Sequence, residues 1–198
     1  MKQKFKIIRP YKHLGPVKNV AGKALAKQHS RLKVNIDAHD GLFRMDNLNI
    51  YEIKYLINKG YQESIQFDLN GGKDYYLLKP ASNESPQHFF LIRKIVEYLR
   101  EHNFEVWTYK TLKPDIIIDI QNRKIAIEIE TGSNLRNNKR SFMNKLRLLR
   151  ENYGYNWFFV VTNRDLVRKY KKYGCTYTRK NCIRGIWRYV NFKPKFAM

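Results

Sequence analysis

The chain has 198 residues, 39 Lys and Arg against 17 Asp and Glu, and a formal net charge of +22 with a pI near 10.0. No stretch approaches the roughly 18 apolar residues of a transmembrane helix, and a hydrophobic content of 43% with 14 Tyr and 11 Phe is too rich for a wholly disordered basic tail. What remains is one domain with a core, or one domain and a small module, whose charge calls for a polyanionic partner: nucleic acid first, rather than a membrane surface or a basic scaffold role.

Residues 1–45 carry a charge of +9 and contain Pro10, Gly15, Pro16 and Gly22 with little periodicity. They read as a basic N-terminal arm that orders on its partner, with one short helix near residues 20–32. Residues 46–80 are near neutral, at −1. There Asn47 or Asn49 caps a helix through Ile50, Ile53, Leu56 and Ile57, and Gly60 stops it. Ser64 to Leu69 then alternates, Asn70-Gly71-Gly72 turns, and Tyr75 to Leu78 returns as a hairpin. A helix followed by a Gly-turned hairpin resembles the second half of a winged-helix domain, which makes 46–80 a winged-helix-like α+β module. The alternative is a plain helix-hairpin extension of the main domain.

Residues 81–198 carry +14 and follow an α/β pattern after the polar linker Ala81 to Ser85. Ser85 and Pro86 start a helix through Phe89, Ile92, Ile95, Val96 and Leu99. Strands follow at residues 104–109, 116–120 and 124–130. A basic helix is predicted over residues 134–152 with Phe142, Leu146 and Leu149 inward, then a strand at 157–162 and a helix at 164–173. The tail shows one strand-like run, Gly185 to Val190. Cys175 and Cys182 have no zinc-ligand spacing and read as reduced thiols. The start, Met1 to Lys6, lacks the apolar core of a signal peptide, so a cytoplasmic location is expected.

The most informative stretch runs from Lys113 to Gly132, the most apolar part of the chain and yet one that carries carboxylates. With Gln121-Asn122 as a two-residue turn, Ile120 faces Arg123 and Asp115 faces Glu128, so both project to one side of the sheet. Glu130 shares that side. Three converging carboxylates repel one another unless a cation, a proton or basic side chains compensate. One reading is a Mg²⁺ or Mn²⁺ site, since hard cations take oxygen ligands; the other is a solvated hairpin face neutralised by nearby Lys and Arg. On the helix before, His88 shares a stripe with Ile92, Ile95 and Leu99. On the helix after, Lys145 shares one with Phe142 and Leu149, which brings it near the hairpin. Asp119 has the parity of Asp115 and reads as a sheet-end carboxylate paired with a Lys or Arg.

Pro114-Asp115, twelve intervening residues and Glu128-x-Glu130 on the next strand resemble the PD-(D/E)xK nuclease superfamily, which includes restriction endonucleases, Holliday-junction resolvases and RecB-type exonucleases. The resemblance covers residues 85–172, whose order of helix, three strands, helix, strand and helix matches that superfamily's core. The run Ile127 to Ser133 looks like a subgroup with "EVETG"-type motifs associated with mobile elements, plasmid replication and mobilisation. The resemblance implies a restriction-endonuclease-like mixed sheet flanked by helices. It also implies metal ligation by Asp115 and Glu128, with Glu130 as a further ligand or general base. Glu130 stands where the family carries a water-activating Lys; some members supply that Lys from the following helix, where this chain has Lys145 and, further off, Lys139. RecB-like members place a His on the first helix, which here points to His88.

Arg136, Lys139, Arg140, Arg147, Arg168, Lys172 and Arg184 are the predicted phosphate-contacting residues, and interleaved aromatics such as Tyr173, Tyr177 and Trp187 either stack on bases or pack under Arg stems. The leading expectation is thus a Mg²⁺-dependent DNA endonuclease acting on duplex or branched DNA, with a homodimer as one assembly. Two alternatives stand beside it: a non-catalytic DNA-binding protein on a nuclease-like scaffold, and a basic component of a nucleoprotein complex, RNA included.

Overall fold

A computed structural model describes residues 34, 36, 41–109, 113–120 and 123–191. Most of the expected arm, its short helix near residues 20–32 and the Gln121-Asn122 turn lie outside the described residues. The chain divides into two units, Met1–Asn35 and Ile36–Met198, and every element below belongs to the second.

The first elements form a small α+β layer. Strand β1 (Leu42–Arg44) leads through a 3₁₀ turn into helix α1 (Ile50–Asn58). Asn49 starts α1 with a full capping box: its Oδ1 accepts from the Tyr51 and Glu52 amides, and Glu52 Oε2 accepts from the Asn49 amide at 2.9 Å. Gly60, at φ +86°, closes the helix, with the Tyr61 amide donating to Leu56 O and the Gly60 amide to Ile57 O. Strands β2 (Gln62–Phe67) and β3 (Lys73–Leu78) form the expected antiparallel hairpin. β1 pairs with the far edge of β3, giving the order β1-β3-β2.

The larger layer follows. Helix α2 (Pro86–Glu101) begins with Ser85 Oγ accepting from the His88 amide, and ends where Asn103 takes a left-handed φ of 59°. Strands β4 (Glu105–Thr108), β5 (Ile116–Ile120) and β6 (Arg123–Glu130) form an antiparallel meander. Short helix α3 (Ser133–Asn137) and helix α4 (Lys139–Tyr153) lead to β7 (Trp157–Val161), which runs parallel to β6. A 3₁₀ turn, helix α5 (Val167–Tyr170), strand β8 (Thr176–Thr178) parallel to β7, and helix α6 (Cys182–Val190) complete the described chain. The five-stranded sheet has the order β4-β5-β6-β7-β8 and is mixed.

Several sequence expectations change in detail. The single helix over 134–152 is two, because Asn138 leaves helical geometry and caps α4, its Oδ1 accepting from the Ser141 amide at 3.1 Å. The helix over 164–173 is a 3₁₀ turn plus four helical residues. The tail run Gly185 to Val190 is helical, not a strand. Its helical spacing, Cys182, Ile186 and Val190, places Cys182 and Ile186 in the core. Gly185 is required there because a Cβ would meet the Tyr177 ring at 2.6 Å. Strand β8 was not expected, and β1 lies within the segment read as an arm.

Alternation along the central strands builds two cores. Ile125, Ile127 and Ile129 of β6 pack with Ile116, Ile118, Phe158 and Val160 beneath α2 and α6. Ala126, Phe159 and Val161 pack beneath α4 and α5. Fully buried side chains such as Ile127 and Phe158 each contribute about 1.5–3 kcal/mol relative to exposure. Helix α2 is shared between layers: Leu91, Ile95 and Leu99 face the large sheet, while Phe90 packs on Tyr76 and Leu78 of the small one. Being held from both sides fixes the N-terminal turn of α2, and with it His88. Among the described residues, no helix is long and apolar enough to cross a membrane.

Candidate functional site

The site forms where β5 begins and β6 ends, bracketed by the start of α2 and the inward stripe of α4. The β5–β6 register runs from Ile120↔Arg123 to Ile116↔Ile127. Asp115, one residue before Ile116, therefore lies across from Glu128, as the sequence predicts. Asp119 falls opposite Lys124 at the other end of the ladder.

The carboxylates are not a solvated face. Asp115 is 7% exposed, Glu128 1% and Glu130 1%. Burial of three acids requires partners, and each has a different one. Asp115 Oδ2 accepts from the Ile129 amide at 2.7 Å and lies 3.4 Å from His88 Nε2. His88 Nδ1 in turn lies 2.9 Å from Glu84 Oε1. With a carboxylate on each ring nitrogen, both nitrogens act as donors and the imidazolium is favoured. Burial opposes that charge, but the bonds to Asp115 and Glu84 outweigh it and hold the His88 pKa at about 10. For Asp115, burial alone would raise the pKa; the His88 bond, the Lys145 charge and the Ile129 amide together hold it below the usual value.

Glu128 Oε1 is ion-paired with Lys145 Nζ of α4, while Glu128 Oε2 is buried without a hydrogen-bond partner. Burial and the neighbouring Asp115 charge push its pKa well up, against the pull of Lys145. Lys145 stays cationic: burial disfavours its charge, but Glu128, Asp115 and Glu130 outweigh that and raise its pKa. Glu130 Oε2 accepts from the Tyr170 hydroxyl at 2.9 Å, and its Oε1 is buried without a partner. Burial lifts the Glu130 pKa to about 7, despite the Tyr170 bond and Lys145.

All five predicted chemical residues, His88, Asp115, Glu128, Glu130 and Lys145, line one open cleft of about 890 Å³. Two participants escaped the sequence reading. Glu84 sits four residues before His88, one helical turn away, in what reads as a linker. Tyr170 lies among basic residues whose charge masks its inward position. A cationic wall of Lys79, Arg93 and Arg100 also lines the cleft and was not singled out. The predicted phosphate contacts Arg136, Lys139, Arg140, Arg147, Arg168, Lys172 and Arg184 are all exposed. They lie on α3, α4, α5 and α6 and just past α5. Arg147 is partly neutralised by Glu151 at 2.9 Å, and Lys172 stands over the Tyr173 ring at 5.0 Å.

Among the described residues, no three His, Cys, Asp or Glu side chains form a ready metal-binding group. The donor set is narrower: the Asp115 and Glu128 carboxylates, with orphaned oxygens on Glu128 and Glu130. That set fits Mg²⁺, which is commonly held by one or two carboxylates plus substrate phosphate. No family model, curated protein or solved structure matches the chain.

Proposed function

We propose that the chain is a Mg²⁺-dependent (or Mn²⁺-dependent) nuclease that hydrolyses phosphodiester bonds in DNA. The observation that carries this reading is the convergence of Asp115, Glu128 and Lys145 at the end of one hairpin, inside an open cleft of a strongly basic chain. The order of helix, three antiparallel strands, helix and parallel strand supports a restriction-endonuclease-like central layer. Helix α1 with the β1-β3-β2 sheet supports a winged-helix-like module ahead of it. The mobile-element association and a cytoplasmic setting belong to the same proposal.

In this reading Asp115 and Glu128 hold the ion, whose chemistry is charge stabilisation at a phosphoryl oxygen. Lys145 supplies, from α4, the cation that the family more often places at the position of Glu130. Glu130 takes the proton from the attacking water: its Oε1 lies in the cleft with a free acceptor position. His88, clamped by Glu84, orients Asp115 and keeps it ionised. The exposed Arg and Lys residues fix the backbone, so binding is salt-dependent.

The test is incubation of supercoiled, linear and branched DNA with Mg²⁺ or Mn²⁺, against EDTA. Asp115→Ala and Glu128→Ala each lower cleavage by about 10³-fold or more while DNA binding is retained or tightened. Cleavage that survives both changes places the chemistry elsewhere. Binding without cleavage by the unaltered chain supports a DNA-binding role on this scaffold; preferential RNA binding supports a ribonucleoprotein role.

A further inference from the structure

A second cavity, about 440 Å³, opens on the same sheet face as the carboxylates. Its floor is apolar, formed by Pro114, Ile117, Leu148 and Leu149. Tyr109 and Tyr153 stand at its sides, close enough for Tyr109 to influence the Tyr153 hydroxyl. Its rim carries the exposed Lys113 and Lys124. Lys113 Nζ lies 4.4 Å from the Tyr109 ring centroid, which holds a cation beside an aromatic face.

Two features tie this cavity to the site. Ile117 is two residues along β5 from Asp115 on the same face, a separation of roughly 7 Å. Tyr109 lines both the cavity and the carboxylate cleft. The two openings therefore share Tyr109, and each is lined by cations: Lys79, Arg93 and Arg100 in the carboxylate cleft, Lys113 and Lys124 in the second cavity.

We propose that this cavity is a subsite for one unpaired nucleotide of the strand that crosses the carboxylate cleft. The base lies against Tyr109 and Tyr153 over the Ile117–Leu149 floor, and Lys113 and Lys124 take the flanking phosphates. Its volume lies in the range of small-ligand sites, about 300–1,000 Å³. Apolar floor, aromatic sides and a cationic rim are the complement of a base joined to phosphate. A stacked base pair cannot enter such a site, because the base must leave its neighbours first. The substrate class that follows is a strand with unpaired bases next to the scissile bond, such as single-stranded, frayed or branched DNA, rather than continuous duplex. The inference rests on the nuclease reading for its ligand, but not on catalysis.

The experiment measures binding of the full chain in EDTA to fluorescently labelled single-stranded and duplex DNA of one sequence. Tyr153→Ala weakens single-strand binding by about tenfold and leaves duplex binding unchanged. Tyr153→Phe, which keeps the ring, retains it. A photoreactive 5-iodouracil strand crosslinks to Tyr109 or Tyr153. Because Tyr153 also packs on the α4 core, thermal unfolding checks that the variant is folded. A Lys113→Glu/Lys124→Glu variant supplies a second probe that leaves the core untouched, and it also weakens single-strand binding selectively. Equal loss on both DNAs in these variants, or no loss, with no crosslink at either tyrosine, overturns the subsite while leaving the nuclease reading standing. An unaltered chain that binds neither DNA overturns both.

Discussion

The two faces of strand β6 are built from alternate residues of one eight-residue segment, and they solve opposite problems. Toward α2 and α6 it presents Ile125, Ile127 and Ile129, all buried among aliphatic and aromatic neighbours. Toward α4 and α5 it presents Ala126, Glu128 and Glu130, with the two acids as buried as the isoleucines. The first face stabilises the fold by removing apolar surface from water. The second works against it, because a buried carboxylate is costly unless paired. Lys145 and Tyr170 offset only part of that cost, since Glu128 and Glu130 each keep one oxygen without a partner. A chain that needed only stability would place apolar residues on both faces.

The contrast is broken most sharply at Lys145. Lys145→Met leaves Glu128 buried beside Asp115 without its own paired cation, and stability should fall by about 3–5 kcal/mol. Adding Glu128→Gln should restore most of the loss, read as the midpoint of urea unfolding. If the double variant stays as unstable as the single one, Lys145 acts through its aliphatic stem rather than its charge. On the opposite face, Ile127→Ala removes methyl groups from a filled core and should cost about 3 kcal/mol. That loss should be independent of pH, and the cleavage rate per folded molecule should persist.

The Glu130 position sharpens the comparison through pH. Its folded pKa, about 7, lies above the unfolded value of 4.5. A raised carboxyl contributes stability that is fully present below pH 4.5 and is lost as pH rises through about 7. Glu130→Gln has no proton to lose, so it should gain on the wild type by up to about 3 kcal/mol between those limits. Denaturant titrations across that range measure the gain. His88 behaves differently: its contribution is present below pH 6.5 and is lost only as pH passes about 10. A Glu130→Gln difference that stayed flat from pH 4.5 to pH 7 would mean that its carboxyl is not held in a buried, neutral-leaning state.

How much of this was legible in the sequence depended on how local the signal was. The hairpin register follows from turn length and alternation, so the opposition of Asp115 and Glu128 could be derived by counting. The stripes that turn His88 and Lys145 inward are helical periodicity and were equally readable. Elements set by distant pairing were not. β1 is three residues long and exists by pairing with β3 more than thirty positions later. β8 is likewise three residues on the edge of the sheet beside β7. The helix α6 was misread because Gly185 argues against a helix and Ile186 to Val190 looks strand-like; the close approach of the Tyr177 ring explains the glycine. Tyr170 was invisible as a site residue because its role depends on α5 delivering it, over the sheet face that carries Phe159, to a residue forty positions away.

Tyr170 also gives the smallest change that still separates the site from the core. Tyr170→Phe keeps the ring, which packs against Phe142 and Phe159, and removes only the hydroxyl that donates to Glu130 Oε2. That hydroxyl favours the ionised carboxylate, so its loss should raise the Glu130 pKa further above 7. Above that pH the variant loses a hydrogen bond to a charged group, about 2 kcal/mol; below pH 4.5 it loses one to a neutral carboxyl, about 1 kcal/mol. If Glu130 is the proton acceptor, the acidic limb of the cleavage profile should move to higher pH in step with the stability change. A stability shift with an unmoved cleavage profile would separate the two roles. Glu130 would then be a buried structural acid, and proton removal would fall to another group in the cleft.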